Sequence, residues 1–174
     1  MKPLFEQYQG QRPVFALELP GFGFSERRDR VYSPDLFADA IVDAVAMNFD
    51  EPVDIVGLSL SNDFIALAVQ QRPELFHSVV MVSPLGFAEP DATEASQRRS
   101  TDQGHSIHRG LSFPLWAQPL FDLLTTRVSI RWFLSQSFAG TVDEELVEYS
   151  YLSSHQPGAR FAPFYFVSGL LFTA

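Results

Sequence analysis

One serine stands where chemistry is expected. In Val53-Asp54-Ile55-Val56-Gly57-Leu58-Ser59-Leu60-Ser61 an apolar, β-branched run reaches Gly57, and a helical pattern starts just past Ser61. The pattern predicts a strand at Val53–Val56, a sharp corner at Ser59 and a helix from Asn62 to Gln71. A hydroxyl pushed out at the carboxyl end of a strand is placed to attack a carbonyl carbon. The backbone N–H of Leu60 is placed to hold the oxyanion that forms, and a helix N-terminus lies underneath. Ser61 reads as a helix-start residue.

A serine hydroxyl needs a general base, so the histidines matter. There are four, His77, His105, His108 and His155, and none is placed convincingly for the task. His77 falls between the helix and the next strand, away from the corner, and reads as exposed. His105 and His108 form H-x-x-H in a polar stretch; that spacing could bind metal on a helix, but without carboxylate or cysteine support it does not read as a metal site. His155 precedes Pro157 in the second half of the chain. Asp63 is near Ser59 in sequence, but a helix carries it away from the hydroxyl. Phe22 and Phe24, beside Gly21 and Gly23, could line an apolar substrate cleft. The plainer alternative is that one packs in the core and the other faces the cleft.

Around these residues the elements alternate. A helix is expected to end near Gln9. Val14–Leu19 reads as a strand stopped by Pro20-Gly21. Ser33-Pro34 is a cap followed by proline at the first helical turn, opening a helix that runs to about Asn48. Ser78–Ser83 reads as a further strand, stopped by Pro84. Strand, helix, strand, helix, strand implies an α/β fold with a parallel sheet. The second half differs. Glu89–His108 is polar, Phe113–Ser137 carries aromatics at helical spacing, Thr141-Val142-Asp143-Glu144 looks like a helix start, and Phe161–Ala174 like a buried helix.

Composition bounds the partners. With 46% hydrophobic and 19% charged residues, the 174-residue chain can bury a core. Its formal charge of −9 argues against nucleic acid and anionic membrane surfaces. The absence of cysteine removes disulfides, thiolate metal sites and a cysteine nucleophile, and fits a cytoplasmic protein. No stretch reads as a membrane span.

Leu19-Pro20-Gly21-Phe22-Gly23-Phe24-Ser25 resembles the loop after the fourth strand of α/β-hydrolase-fold enzymes, and Gly57-Leu58-Ser59-Leu60-Ser61 resembles their nucleophile elbow. Pro84-Leu85-Gly86-Phe87 and the helical stretch after it resemble the end of the sixth strand and the lid. Two small departures are Ser61 where the pattern has glycine and Glu18 where it has aspartate. The resemblance implies a partial α/β-hydrolase fold: residues 1–87 as core, 88–155 as helical lid and 156–174 as a returning core helix. The family's first three and last two strands, which bring half of the oxyanion hole, the acid and the histidine, have no counterpart here. It further implies a lidded serine hydrolase acting on carboxylic esters or related acyl compounds, with Ser59 as nucleophile, Leu60 as oxyanion donor, Phe22 and Phe24 on the substrate side, and no cofactor or metal. Serine at the elbow speaks against the dehalogenases and epoxide hydrolases that use aspartate there. The expected partner is a small ester-like molecule, and the bare sheet edges imply self-association. The chain alone is expected to be inactive. The competing reading is a non-catalytic chain whose cleft binds a ligand or partner.

Overall fold

The computed structural model describes residues 2–84, 94–137 and 140–172, with the backbone alone at 94–100 and 137. Leu85, Gly86, Phe87 and Phe138, which the sequence reading used, lie outside the described residues. Of the described residues, 2–19, 33–84 and 172 form one compact unit, and 20–32, 94–137 and 140–171 form a second. Among the described residues no helix is long and apolar enough to cross a membrane.

The first unit is built around a parallel β-α-β motif. Helix α1 (Lys2–Tyr8) opens it. Helix α2 (Pro34–Asn48) starts as the sequence predicts: the Ser33 hydroxyl accepts a hydrogen bond from the Leu36 N–H at 3.3 Å, with Pro34 in the first turn. Its residues Phe37, Ala38, Ile41 and Val45 are buried at helical spacing. Strand β1 (Val53–Leu58), helix α3 (Ser61–Gln71) and strand β2 (Phe76–Val82) follow. The strands pair in parallel, with Ile55 opposite Val79, Gly57 opposite Met81 and Leu58 opposite Val82. Phe37 of α2 stacks on Phe64 of α3, with ring centroids 4.6 Å apart. Near the start of β1, Asp54 accepts hydrogen bonds from the Ser78 hydroxyl at 2.6 Å and the Arg12 guanidinium at 2.8 Å. These two donors, the hydroxyl first, hold its carboxyl below the usual carboxylate range.

The expected strand at Val14–Leu19 is absent. The segment has no ladder partner, and the described sheet contains β1 and β2 alone. Its β-forming composition does not suffice, because a strand exists only through hydrogen bonds to a neighbour. Phe15 and Leu17 are left exposed, although Phe15 meets Phe49 edge to face at 4.8 Å.

The second unit is helical. It contains α4 (Glu94–Leu111), α5 (Ala117–Leu124), α6 (Arg127–Ser137), α7 (Glu144–Ser154) and α8 (Phe161–Val167). Asp143 caps α7, accepting from the Glu145 N–H at 2.9 Å. Arg127 pairs with Glu148, and Arg131 with Glu144, each through two hydrogen bonds between α6 and α7. The buried core includes Ala117, Phe121, Ala159 and Phe164. The apolar C-terminal stretch makes a shorter helix than its composition suggests. Gly169, at φ +81°, donates to Phe166 and Leu170 donates to Tyr165, a glycine-terminated helix end. Pro163 is tolerated because its position in the first turn needs no donor.

These units divide the chain differently from a sequence division at 87 and 155. Residues 20–32 and 156–171 pack with the later helices. Gly21, at φ +87°, lies against Tyr32 and Ala162 so closely that a Cβ on it would stand 2.3 Å from the Ala162 Cβ.

Candidate active site

Ser59 lies in the gap between the last residue of β1, Leu58, and the first of α3, Ser61. It is exposed and adopts φ +54°, in the left-handed region. A non-glycine residue held there costs about 1–3 kcal/mol and persists only when its surroundings enforce it. Its N–H donates to the Val82 carbonyl at 2.9 Å, continuing the pairing of β1 with β2 by one residue. Its own carbonyl accepts from the Asn62 N–H at 3.0 Å. The following N–H, that of Leu60, has no acceptor among the described residues and precedes the first turn of α3. The corner predicted at Ser59 is thus a strand–turn–helix bend, with β1 two residues longer and α3 one residue longer than the sequence pattern suggests.

Three neighbours shape the bend. The Ser61 hydroxyl accepts from the Leu58 N–H and donates to the Leu58 carbonyl, both at 2.8 Å. Asn62 is 2% exposed, and its Nδ2 donates to the Val82 carbonyl at 3.0 Å. Gly57 is buried beneath it. A Cβ there would lie 2.4 Å from Asn62 Oδ1 and 2.7 Å from Ile65 Cδ1, so only glycine fits without displacing them. Sequence reasoning missed Asn62, whose one signal was a polar residue opening an otherwise apolar helix. It also missed Ser83, which follows Val82 at φ +45° and repeats the left-handed corner at the end of the adjacent strand. Pro84 marked a stop there, not a bend.

Among the described residues of its own unit, no histidine stands beside Ser59. His77 is that unit's sole histidine and sits exposed near the start of β2. Val82 lies five steps further along the strand, about 16 Å away. Asp63 is buried in the first turn of α3. In the second unit, His155 ends α7, its Nδ1 donating to the Tyr151 carbonyl at 2.8 Å while its ring lies on Tyr151. His108 stacks on Tyr165 at 4.0 Å, with its Nε2 3.3 Å from the Ser112 hydroxyl. Among the described residues no three His, Asp or Glu side chains gather as a metal site requires. Phe22 and Phe24 are in the second unit. Phe22 is half-buried, and Phe24 is exposed and meets Tyr149 edge to face at 5.5 Å.

Burial pushes the His108 imidazole below its usual range; nearby His105 acts in the same direction and Asp29 opposes them. A depressed pKa means that the unfolded chain takes up its proton first as pH falls. Stability of the helical unit is therefore expected to decline from about pH 6.5 downward until the folded imidazole also titrates. Thermal melts at about pH 7 and about pH 5 check this. The loss on acidification should be smaller in His108→Gln, and an equal loss in both proteins would disprove the assignment.

The sequence profile of the alpha/beta hydrolase family matches residues 2–173. The chain belongs to that family, and its β-α-β core with a serine at the strand–helix corner is part of an α/β fold. Comparison with curated proteins returned no match, and comparison with solved structures returned none either.

Proposed function

We propose that Ser59 is the nucleophile of a serine hydrolase that cleaves carboxylic esters or related acyl compounds. The observation that carries this reading is the exposed Ser59 at φ +54° between β1 and α3, followed by an N–H with no acceptor among the described residues. Ser59 Oγ attacks the acyl carbon and its proton passes to a base. The Leu60 N–H supports the oxyanion, the alcohol departs, and water then releases the acid from the acyl-enzyme. Phe22 and Phe24 serve the apolar side of a small ester substrate, and residues 88–155 act as a lid over the core of 1–87, with 156–174 as its returning helix. The chemistry calls on no cofactor.

With His77 at the far end of the sheet and His108 and His155 engaged on neighbouring tyrosines, the chain alone is proposed to lack a working base. A second reading follows from that same gap: a non-catalytic module that uses the cleft for binding. The two are separated by supplying the base. A fluorophosphonate ester should label Ser59 in the presence of added imidazole if the nucleophile reading holds. Failure of labelling at any imidazole concentration favours the binding module.

Self-association through the sheet belongs to the same proposal. Val56, Leu58, Val80, Met81 and Val82 are between 36% and 51% exposed, and each strand has one unpaired edge among the described residues. Light scattering is expected to give a mass above the 19.6 kDa of one chain. A sharply melting monomer would contradict it.

A further inference from the structure

We infer that Ser61 and Asn62 are positioning residues that hold Ser59 in its left-handed conformation from two sides, an inference that rests on Ser59 being the nucleophile.

The first hold is on the strand side. Peptide groups of successive strand residues face opposite edges, and the Ser59 N–H bonds toward β2, so the N–H and carbonyl of Leu58 face away from β2. One hydroxyl has a proton and two lone pairs, so Ser61 Oγ satisfies both Leu58 groups at once, each at 2.8 Å. This fastens the first residue of α3 to the last residue of β1. Ser59 and Leu60 are the two residues between the fastened ends, and the chain has to reverse direction within them.

The second hold is on the sheet side. The Val82 carbonyl receives two donors, Ser59 N at 2.9 Å and Asn62 Nδ2 at 3.0 Å. A carbonyl only accepts, which fixes the amide orientation with its NH2 toward Val82. The Asn62 N–H closes on the Ser59 carbonyl. Both backbone polar groups of Ser59 are thereby bonded to Asn62 or to the atom that Asn62 also grips. The arrangement carries a cost: Asn62 Oδ1 is buried with no hydrogen-bond partner among the described residues, in space left by the missing side chain of Gly57. A helix start needs no such group. The amide's other end, bonded to Val82, is the end with a task.

The test reads Ser59 directly. In the isotopically labelled 174-residue chain, the amide coupling, carbon shifts and hydrogen exchange of Ser59 are followed by NMR, with the Ala68 amide inside α3 as the fold control. Ser61→Ala and Asn62→Leu, the latter keeping the branched four-atom side-chain skeleton, should each move Ser59 out of its left-handed signature. Its amide exchange should rise about tenfold, the order expected for one lost hydrogen bond, while Ala68 stays protected. Ser61→Thr, which keeps the hydroxyl, should restore the wild-type signature. Imidazole-dependent phosphonylation should slow in parallel in the two disrupted variants. Unchanged Ser59 signals in both disrupted variants would overturn the proposal even if labelling is normal. Altered signals in a chain that never labels would instead uphold the two holds and remove the nucleophile reading on which their purpose rests. If Asn62→Leu fails to fold, the comparison of Ser61→Ala with Ser61→Thr decides the question alone.

Discussion

Alanine at position 59 is expected to reduce imidazole-assisted phosphonylation of the chain to background, as read by intact mass and peptide mapping. The reagent requires an oxygen that is exposed, deprotonated as it attacks, and adjacent to an N–H able to take the charge developing on the phosphoryl oxygen. Ser59 meets the first condition by its exposure and the third through Leu60, and added imidazole supplies the second. Neighbouring hydroxyls are poorer candidates for different reasons. Ser61 Oγ is committed as both donor and acceptor to Leu58. Ser83 shares the left-handed backbone, with φ +45°, and is exposed, but Pro84 follows it and brings no N–H to hold an oxyanion. The mapping therefore tests the assignment as well as the loss. Label persisting in Ser59→Ala, or found on Ser83 in the unaltered chain, would sink Ser59 as the nucleophile. Background ester hydrolysis that is equal in both proteins without imidazole is the companion result expected from a missing base.

What could be read from the sequence was what neighbouring residues decide among themselves. Ser33 and Pro34 announce a helix because cap and ring act within one turn, and the Ser33–Leu36 hydrogen bond is that local interaction realised. The corner at Ser59 is legible for a similar reason: a β-branched run, a glycine and an apolar helical pattern follow one another within a dozen residues. The segment Val14–Leu19 has the composition of a strand and forms none, because pairing depends on what lies alongside it, which composition does not encode. α4 falls inside the helical lid that the resemblance implies, but its own residues do not announce it. Its sequence is too polar to show an apolar stripe, yet most of its residues tolerate a helix. The grip of Asn62 on the corner depends on Val82, twenty residues away in sequence, and on the register that places Val82 beside Leu58. No local pattern contains that information.

Phe37→Ala is expected to destabilise the first unit by about 3–5 kcal/mol, the usual cost of emptying a buried phenylalanine site. Phe37 is 0% exposed and stacks on Phe64, itself 3% exposed, at the meeting of α2 and α3. Ala38, Ile41 and Val45 continue the same face of α2, and Ile65 and Ala68 the buried face of α3. The position matters because the sheet it supports is so small. Two strands in isolation are marginal in water and hold together only when a packed layer covers a face. That layer is the α2–α3 pair, so a cavity at Phe37 weakens the support of β1 and β2 together and, with them, the Ser59 corner. Set against the 5–15 kcal/mol typical of a whole domain, the loss is a large share. In urea, with a slope of about 1–3 kcal/mol/M, it should lower the unfolding midpoint by roughly 1 M or more. Met47→Ala is the control on the same helix. Met47 is 83% exposed, and its removal should cost no more than about 0.5 kcal/mol. Equal midpoints for Phe37→Ala and Met47→Ala would mean that the α2–α3 contact does not carry the unit, and that the strands draw their stability from elsewhere.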